Sequence, residues 1–403
     1  MKLITITAFV PVMLWLGFTS ASAQQTGTDS LPEGEGKQLV EFVCVECHGL
    51  NQITRSPGYN TPAEWRAVIE TMVKMADAQA NTIATYLAKS FPEKPGHKPT
   101  LVPGEHVIEI KEWTMPTLGQ RARDPIEGPD GAIWWTGMFA SLIGRLDPQT
   151  GDMQEYLLPP AARPHSIIPG PDGNIWYTGN SNATIGKLVP ATGLITEYPT
   201  KGKDPHTPIF HPNGKLYFTS QQANMLGRLD INTGELTEIE TRERPYGIQV
   251  GTDGRLYIAY FGTNAIGAMD PDSLEVQYYE VPDASSRIRR LAIDSKGIVW
   301  YVNSTRGRLG RLDPATGVIR EWDSPSGPDS HPYAIVVAKD IVWYNESAVR
   351  PDTLVRFDPE TEVFQSWEIP SGVGINRRMY VTHDNNILIH QSSTNQVGIV
   401  KIE

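Results

Sequence analysis

The sequence predicts a small all-α domain followed by an all-β seven-bladed propeller that an N-terminal strand closes. Three observations carry this. A unit of about forty residues recurs seven times between residues 106 and 403. The last unit ends one strand short, and a matching strand stands before the first. Residues 36–92 instead space their apolar side chains three and four apart, as amphipathic helices do.

Residues 1–23 read as a secretory signal peptide. Lys2 is basic, residues 3–18 are mostly apolar, and Ala21-Ser22-Ala23 is a small-residue cleavage site, so the mature chain should begin near Gln24. The apolar run is too short, and too closely followed by that site, to make a good membrane anchor. No later segment is long enough to span a bilayer. The expected location is periplasmic or secreted. The net charge is −11, and loss of Lys2 makes it one unit more negative. An acidic balance argues against nucleic acid as a partner.

In residues 36–92, Val40, Phe42 and Val43 lead to the first cysteine. Thr61-Pro62-Ala63-Glu64 reads as a helix start, with Thr as N-cap, Pro at the first helical position and an acid soon after. Trp65, Val68, Ile69 and Met72 follow on one face. Ile83, Tyr86, Leu87 and Phe91 suggest a further helix that Pro92 ends. Residues 93–105 are rich in Pro and Gly without periodicity, which reads as a semi-stiff linker.

Both cysteines of the chain lie in Cys44-Val45-Glu46-Cys47-His48. This spacing presents two thiols to the vinyl groups of a haem and puts a histidine beneath the iron. One covalent haem c is therefore expected, on Cys44 and Cys47, with His48 as proximal ligand. A disulfide or a zinc half-site is the alternative, but zinc needs more ligands nearby and none follow at suitable spacing. Met72 and Met75 are candidates for the distal ligand, with His97 a distant third; a methionine that merely packs the core is the competing reading of Met72. Over about 55 residues the segment resembles the class I cytochrome c domains of quinoprotein-type dehydrogenases. The match is carried by Trp65…Met72 and Tyr86-Leu87-Ala88, and it implies Met72 as ligand.

The repeat runs through an apolar strand, a Pro-Asp-Gly turn, Ile-Trp-Tyr, a polar loop, Ile-Gly-Arg-Leu-Asp, a Thr-Gly turn and Glu-Tyr. Its second-strand anchors are Trp134, Trp176, Tyr217, Tyr257, Trp300, Trp343 and Leu388, spaced 40–45 residues apart. Four strands at this period make a propeller blade. The seventh unit lacks its Glu-Tyr strand. Ile108-Glu109-Ile110-Lys111-Glu112-Trp113 supplies it, with Glu112-Trp113 matching Glu321-Trp322 of the fifth unit.

On the innermost strands, equivalent positions carry Arg123, His165, His206, Tyr246, Arg289, Tyr333 and Arg377. They are expected to ring one mouth of the channel as a positive funnel for an anionic or carbonyl-bearing small molecule. Polar and water-filled channels with satisfied arginines are the bland alternative. Ser220, Tyr260, Asn303, Glu346 and Gln391 at second-strand ends are expected nearby.

Residues 106–403 resemble the streptogramin lyase (virginiamycin B lyase) family through these repeats. The resemblance implies a seven-bladed propeller and metal-assisted elimination at the ester of a cyclic depsipeptide. The residues it calls for are a His in one blade's Pro-His segment, with a Glu and a His in and after the Trp-Phe-Thr-Glu segment of the next. His165 and His206 hold Pro-His positions, but the blades after them read Thr219-Ser220-Gln221-Gln222 and Ala259-Tyr260-Phe261-Gly262. Glu346 holds the Glu position, yet residue 348 is Ala348 and the preceding blade offers Arg289. No adjacent pair assembles the set.

Electron transfer or haem-linked oxidation of a small molecule, with a redox partner protein or an anionic substrate, is the expected function. A lyase and a non-catalytic binding or sensing module are the alternatives.

Overall fold

The computed structural model describes residues 31–44, 50, 53, 59–92 and 96–402. From Ile108 onward the chain forms seven antiparallel four-stranded sheets arranged as a propeller. Blades 1 to 6 span residues 122–157, 164–199, 205–240, 245–280, 288–323 and 332–368. Blade 7 takes three strands from residues 380–402 and its outermost strand from Ile108–Thr114. That strand runs antiparallel to Gln396–Ile402, from Ile108 opposite Ile402 to Thr114 opposite Gln396. The ring is thus closed by backbone hydrogen bonds between the two ends of the propeller sequence, which leaves neither as a free edge.

Each repeated residue has a physical task. The Asp of the Pro-Asp-Gly turn accepts the indole N–H of the second-strand tryptophan: Asp130 from Trp134 and Asp172 from Trp176, both at 3.0 Å. The same carboxylates accept backbone N–H groups of their own turns. The fourth-strand aromatic stacks on that tryptophan, as Tyr156 does on Trp134 at 5.6 Å and Trp322 on Trp300 at 5.7 Å. Such a pair adds about 0.5–1.5 kcal/mol beyond area burial. The Gly of Ile-Gly-Arg-Leu lies under the other second-strand aromatic. A Cβ on Gly144 would fall 2.0 Å from the Trp135 ring, and one on Gly186 2.0 Å from Tyr177. The Thr after the aromatics reaches the next blade. Thr136 Oγ1 donates to the His165 carbonyl, Thr178 to that of His206 and Thr219 to that of Tyr246.

The N-terminal part requires a correction. No all-α cytochrome c domain is apparent in the described residues. They form three helices: α1 Lys37–Val43, α2 Pro62–Met72 and α3 Asp77–Ser90. The Thr61 capping box is present as the sequence indicates, with Thr61 Oγ1 accepting from Glu64 N and the Glu64 carboxylate accepting from Thr61 N. Trp65, Val68, Ile69, Ile83, Tyr86 and Leu87 meet in a buried cluster. This cluster is not self-contained: Leu118, from the propeller loop after the closing strand, packs against it. A 3.6-residue period specifies amphipathic helices, but it does not specify the domain they build. The signal-peptide residues, together with Cys47 and His48, lie outside the described residues.

Residues expected as a linker are a strap instead. His97 pairs with Val349 in a parallel bridge, and Arg350 N donates to the His97 carbonyl. Val102 and Ser366 exchange hydrogen bonds, and Gln365 bonds both the N–H and the carbonyl of His106. The strap therefore descends along Val363–Glu368, the outer strand of blade 6, before the closing strand climbs blade 7.

Candidate functional site

The propeller scaffold brings the seven predicted positions together. In blades 1 to 6 the innermost strand changes register beside the ring residue, for example between Pro164 and Ile167 and between Pro245 and Ile248. Such irregularities re-aim side chains next to functional sites. Arg123 Nη1 is 2.9 Å from His165 Nε2. The His165 and His206 ring centroids lie 3.7 Å apart with the rings tilted by 34°, and Tyr246 follows at 4.1 Å from His206. The hydroxyls of Tyr246 and Tyr333 are 2.5 Å apart. Arg377 Nη1 donates to the Tyr333 hydroxyl at 3.3 Å, and Arg289 Nη1 to that of Tyr246 at 3.5 Å. Arg289 lies 3.8 Å over Phe261 and 4.2 Å over Tyr333.

Six of the seven line a cavity of about 380 Å³; Arg377 is not among the lining residues and reaches the site through the Tyr333 hydroxyl. The sequence reading missed the rest of the wall: Arg121, Arg163, Asp204 and Arg244 from the positions just before the innermost strands, with Phe139, Asn180, Gln221 and others from the second-strand loops. A signal existed. Arg121, Arg163, Asp204 and Arg244 stand two residues before their ring positions, and His331 and Ile375 are equivalent. All six have φ between 41° and 66°. Left-handed backbone at non-glycine residues costs about 1–3 kcal/mol each and gathers at functional sites. The polar second-strand ends behave otherwise. Asn303 bonds Ser286 and Glu321, and Gln391 accepts Gly374 N. The Tyr260 hydroxyl meets Thr241. Ser220 is buried with its hydroxyl unpartnered. None of these four lines the cavity.

Electrostatics favour an anion. Burial, then the neighbouring His206 and Arg123, hold His165 well below the usual imidazole range. Burial and Arg290 do the same to His206. Both rings are therefore neutral at physiological pH. One layer deeper, Asp124 lies between Arg378 at 3.2 Å and Arg290 at 3.5 Å; these arginines overcome burial and lower its carboxyl to about 2. No ring position carries a carboxylate to match Arg123, Arg289 and Arg377. Arg123 Nε and His165 Nδ1 are buried without hydrogen-bond partners. Buried cations lacking counter-charges are costly, and an incoming anion relieves that cost.

Glu346 does not belong to the mouth. It is fully buried and accepts from Ser324 Oγ, Ser326 N, Ser326 Oγ and Thr353 Oγ1. Its expected role in substrate binding is corrected accordingly: the carboxylate anchors the loop before blade 6. Among the described residues no group of three His, Cys, Asp or Glu side chains is placed to hold a metal ion.

The helical segment sits at the same end of the propeller. Loops joining second to third strands, and loops joining successive blades, emerge on one face, and these loops line the cavity. The segment meets two of them. The Tyr59 hydroxyl bonds Asn395, and Met72 covers Gly119. Cys44 is the C-cap of α1, half-buried against the helical core. Met72 is 49% exposed; Met75, between α2 and α3, is half-buried against that core. His97 belongs to the strap. Among the described residues, Trp65 Nε1 is buried with no hydrogen-bond partner.

The sequence signature of the Virginiamycin B lyase family matches residues 103–241 and 233–403. Among solved structures, a streptogramin B lyase is 23% identical with a TM-score of 0.67, covering 73% of this chain and 98% of its own. A catalytically inactive virginiamycin B lyase from Staphylococcus aureus, solved with quinupristin, is 22% identical with a TM-score of 0.66, covering 74% and 100%. The extracellular domain of a putative hybrid two-component system from B. thetaiotaomicron is 13% identical with a TM-score of 0.57, covering 72% of this chain and 42% of its own. No curated protein matches the chain. Seven blades built on one shared repeat, and a signature that spans them all, place this chain in the Virginiamycin B lyase family.

Proposed function

We propose that the chain is an exported binding protein whose propeller takes a small organic anion at the channel mouth and whose N-terminal segment carries one covalent haem. The observation that carries the first half is a channel-mouth cavity lined by Arg121, Arg123, Arg163, Arg244 and Arg289 against one carboxylate, Asp204, with Arg377 beside it on the Tyr333 hydroxyl. Guanidinium groups suit carboxylates because they offer paired donors in a planar fork. Support for the second half is the Cys44-Val45-Glu46-Cys47-His48 spacing together with the Trp65 indole, unpartnered among the described residues. When bound, the haem supplies one-electron exchange. Cys44 and Cys47 would hold it, and His48 with one of Met72 or Met75 would bind its iron. Segment and cavity share one face of the propeller, so binding and electron transfer would take place side by side.

Calorimetric titration with small carboxylates tests the site, and a reduced-minus-oxidised spectrum tests the haem. Micromolar carboxylate binding that shifts the haem potential supports the whole reading. A preparation of intact chain without a c-type band removes the haem half.

Elimination chemistry is a second reading, favoured by family membership. Against it stands Glu346, sealed by four donors, with no His beside it. Opening of quinupristin in the presence of Mg²⁺, unaffected by Cys44→Ala, would restore that reading.

A further inference from the structure

The ring contains one side chain that an anion site alone does not require. Tyr333 lies 96% buried at the convergence of the arginines. Its neighbours come from five innermost strands or their leads: Tyr246 from blade 4, Arg289 from blade 5, His331 from its own blade 6, Arg377 from blade 7 and Arg123 from blade 1. The charged groups among these are all cations, and His331 is held near 4, by burial first and then by Arg289 and Arg377, so it is neutral. The Tyr333 hydroxyl oxygen receives Arg377 Nη1 and lies 2.5 Å from the Tyr246 hydroxyl. Such an arrangement stabilises oxygen carrying negative charge.

We propose that Tyr333 is the proton acceptor of the channel-mouth site: its phenolate oxygen balances the arginines when the site is empty, and a small dicarboxylate that takes those arginines is bound with uptake of one proton by Tyr333. This rests on the anion-site reading. The phenol's O–H bond forms with a solvent proton; one carboxylate replaces the phenolate charge at the ring arginines, and the second carboxylate adds one negative charge, which faces Arg163 and Arg244. Burial alone would raise the Tyr333 hydroxyl, but Arg289, Arg377 and Arg123 outweigh it and hold it well below the usual phenol range, whereas Tyr246 is raised.

The dicarboxylate follows from two tiers of cations. Ring arginines form one tier. Arg163 and Arg244 line the same cavity, each on the left-handed residue just before its innermost strand and two residues before a ring position. Asp204 occupies the same tier and disfavours a ligand with still more charge.

The test uses the full chain with succinate as probe and acetate as control. Calorimetry at about pH 7 in two buffers of different ionisation heat counts protons taken up. We expect close to one proton for succinate in the wild type, none in Tyr333→Phe with succinate still bound, and retained uptake in Tyr260→Phe, whose hydroxyl lies outside the cavity. A near-ultraviolet tyrosinate band, present without ligand and absent in Tyr333→Phe, is expected as well. Succinate binding with no proton uptake, or uptake that survives Tyr333→Phe, overturns the proton role and leaves the anion site standing. Failure of both succinate and acetate to bind overturns the anion reading and this proposal with it. Circular dichroism and melting of both variants show whether the ring remains folded.

Discussion

The propeller and the three-helix segment solve the problem of burial in opposite ways. In the propeller every structural task is repeated: turn Asp to indole, glycine under aromatic, Thr to the next blade's carbonyl. These tasks use positions away from the channel, which frees the seven ring positions to carry chemistry. The helical segment has one copy of each feature, and part of its core is lent by the propeller residue Leu118. Repetition makes the ring independent of its occupants; the segment depends on its neighbour.

The largest effect should come from cutting the chain on either side of the closing strand. Removing residues through 96 takes away the helices and should leave a cooperative propeller melt within a few degrees of the original. Removing residues through 114 also deletes the partner of Gln396–Ile402 and should abolish the cooperative transition in scanning calorimetry. If both truncations melt alike, the claimed asymmetry is wrong.

Next comes replacement of the ring arginines. Arg123→Met, Arg289→Met and Arg377→Met together remove three charge-assisted contacts worth about 1.5–3 kcal/mol each to a bound anion. Succinate affinity should fall more than about 100-fold by titration. The melting temperature should rise, because unmatched buried cations are lost. A fall in both would mean that the arginines are structural.

A smaller contrast lies within the repeat. Gly144→Ala would drive a Cβ into the Trp135 ring and should cost about 2–3 kcal/mol. Gly131→Ala meets nothing within 4 Å but sits at φ 72°, and should cost only about 1 kcal/mol. Chemical denaturation measures both, and equal costs would remove the packing argument.

The smallest effect is titration of Asp204. Burial raises its carboxyl to about 6, despite the Asn180 and Gln222 donors. A carboxyl raised on folding contributes most while protonated, so its contribution is full below about pH 4 and is lost as pH rises through about 6. Asp204→Asn should therefore gain about 1–2 kcal/mol at about pH 7 and little at about pH 4. In the wild type, anion affinity should strengthen as pH falls through about 6. A flat profile for both would take Asp204 out of the site.

Repetition also decided what was legible. Anchors such as Trp134 and Tyr257 recur in phase, so blade count, closing strand and ring positions all follow from spacing. Arg163 and Arg244 recur equally well, two residues earlier, but a left-handed turn cannot be read from side-chain type. Glu346 misled because a polar residue ending a second strand looks the same whether it faces the mouth or a loop; its four donors settle it. The α2 cap was legible from Thr61 and Glu64, because capping is local. The domain that helices build is a tertiary property, which a single copy of Trp65…Met72 does not determine. The strap looked like a spacer because its hydrogen bonds use backbone, which composition does not reveal.

That strap sets a concentration. A free linker would let the segment carrying Cys44 sample a large volume, and its encounter with the mouth would depend on linker length. Pinned at His97, Val102 and His106 along blade 6, with Tyr59 latched to Asn395, the segment has no search to make. The helices stay beside the loops of Gly119 and Asn395 at an effective concentration that dilution of the protein does not change.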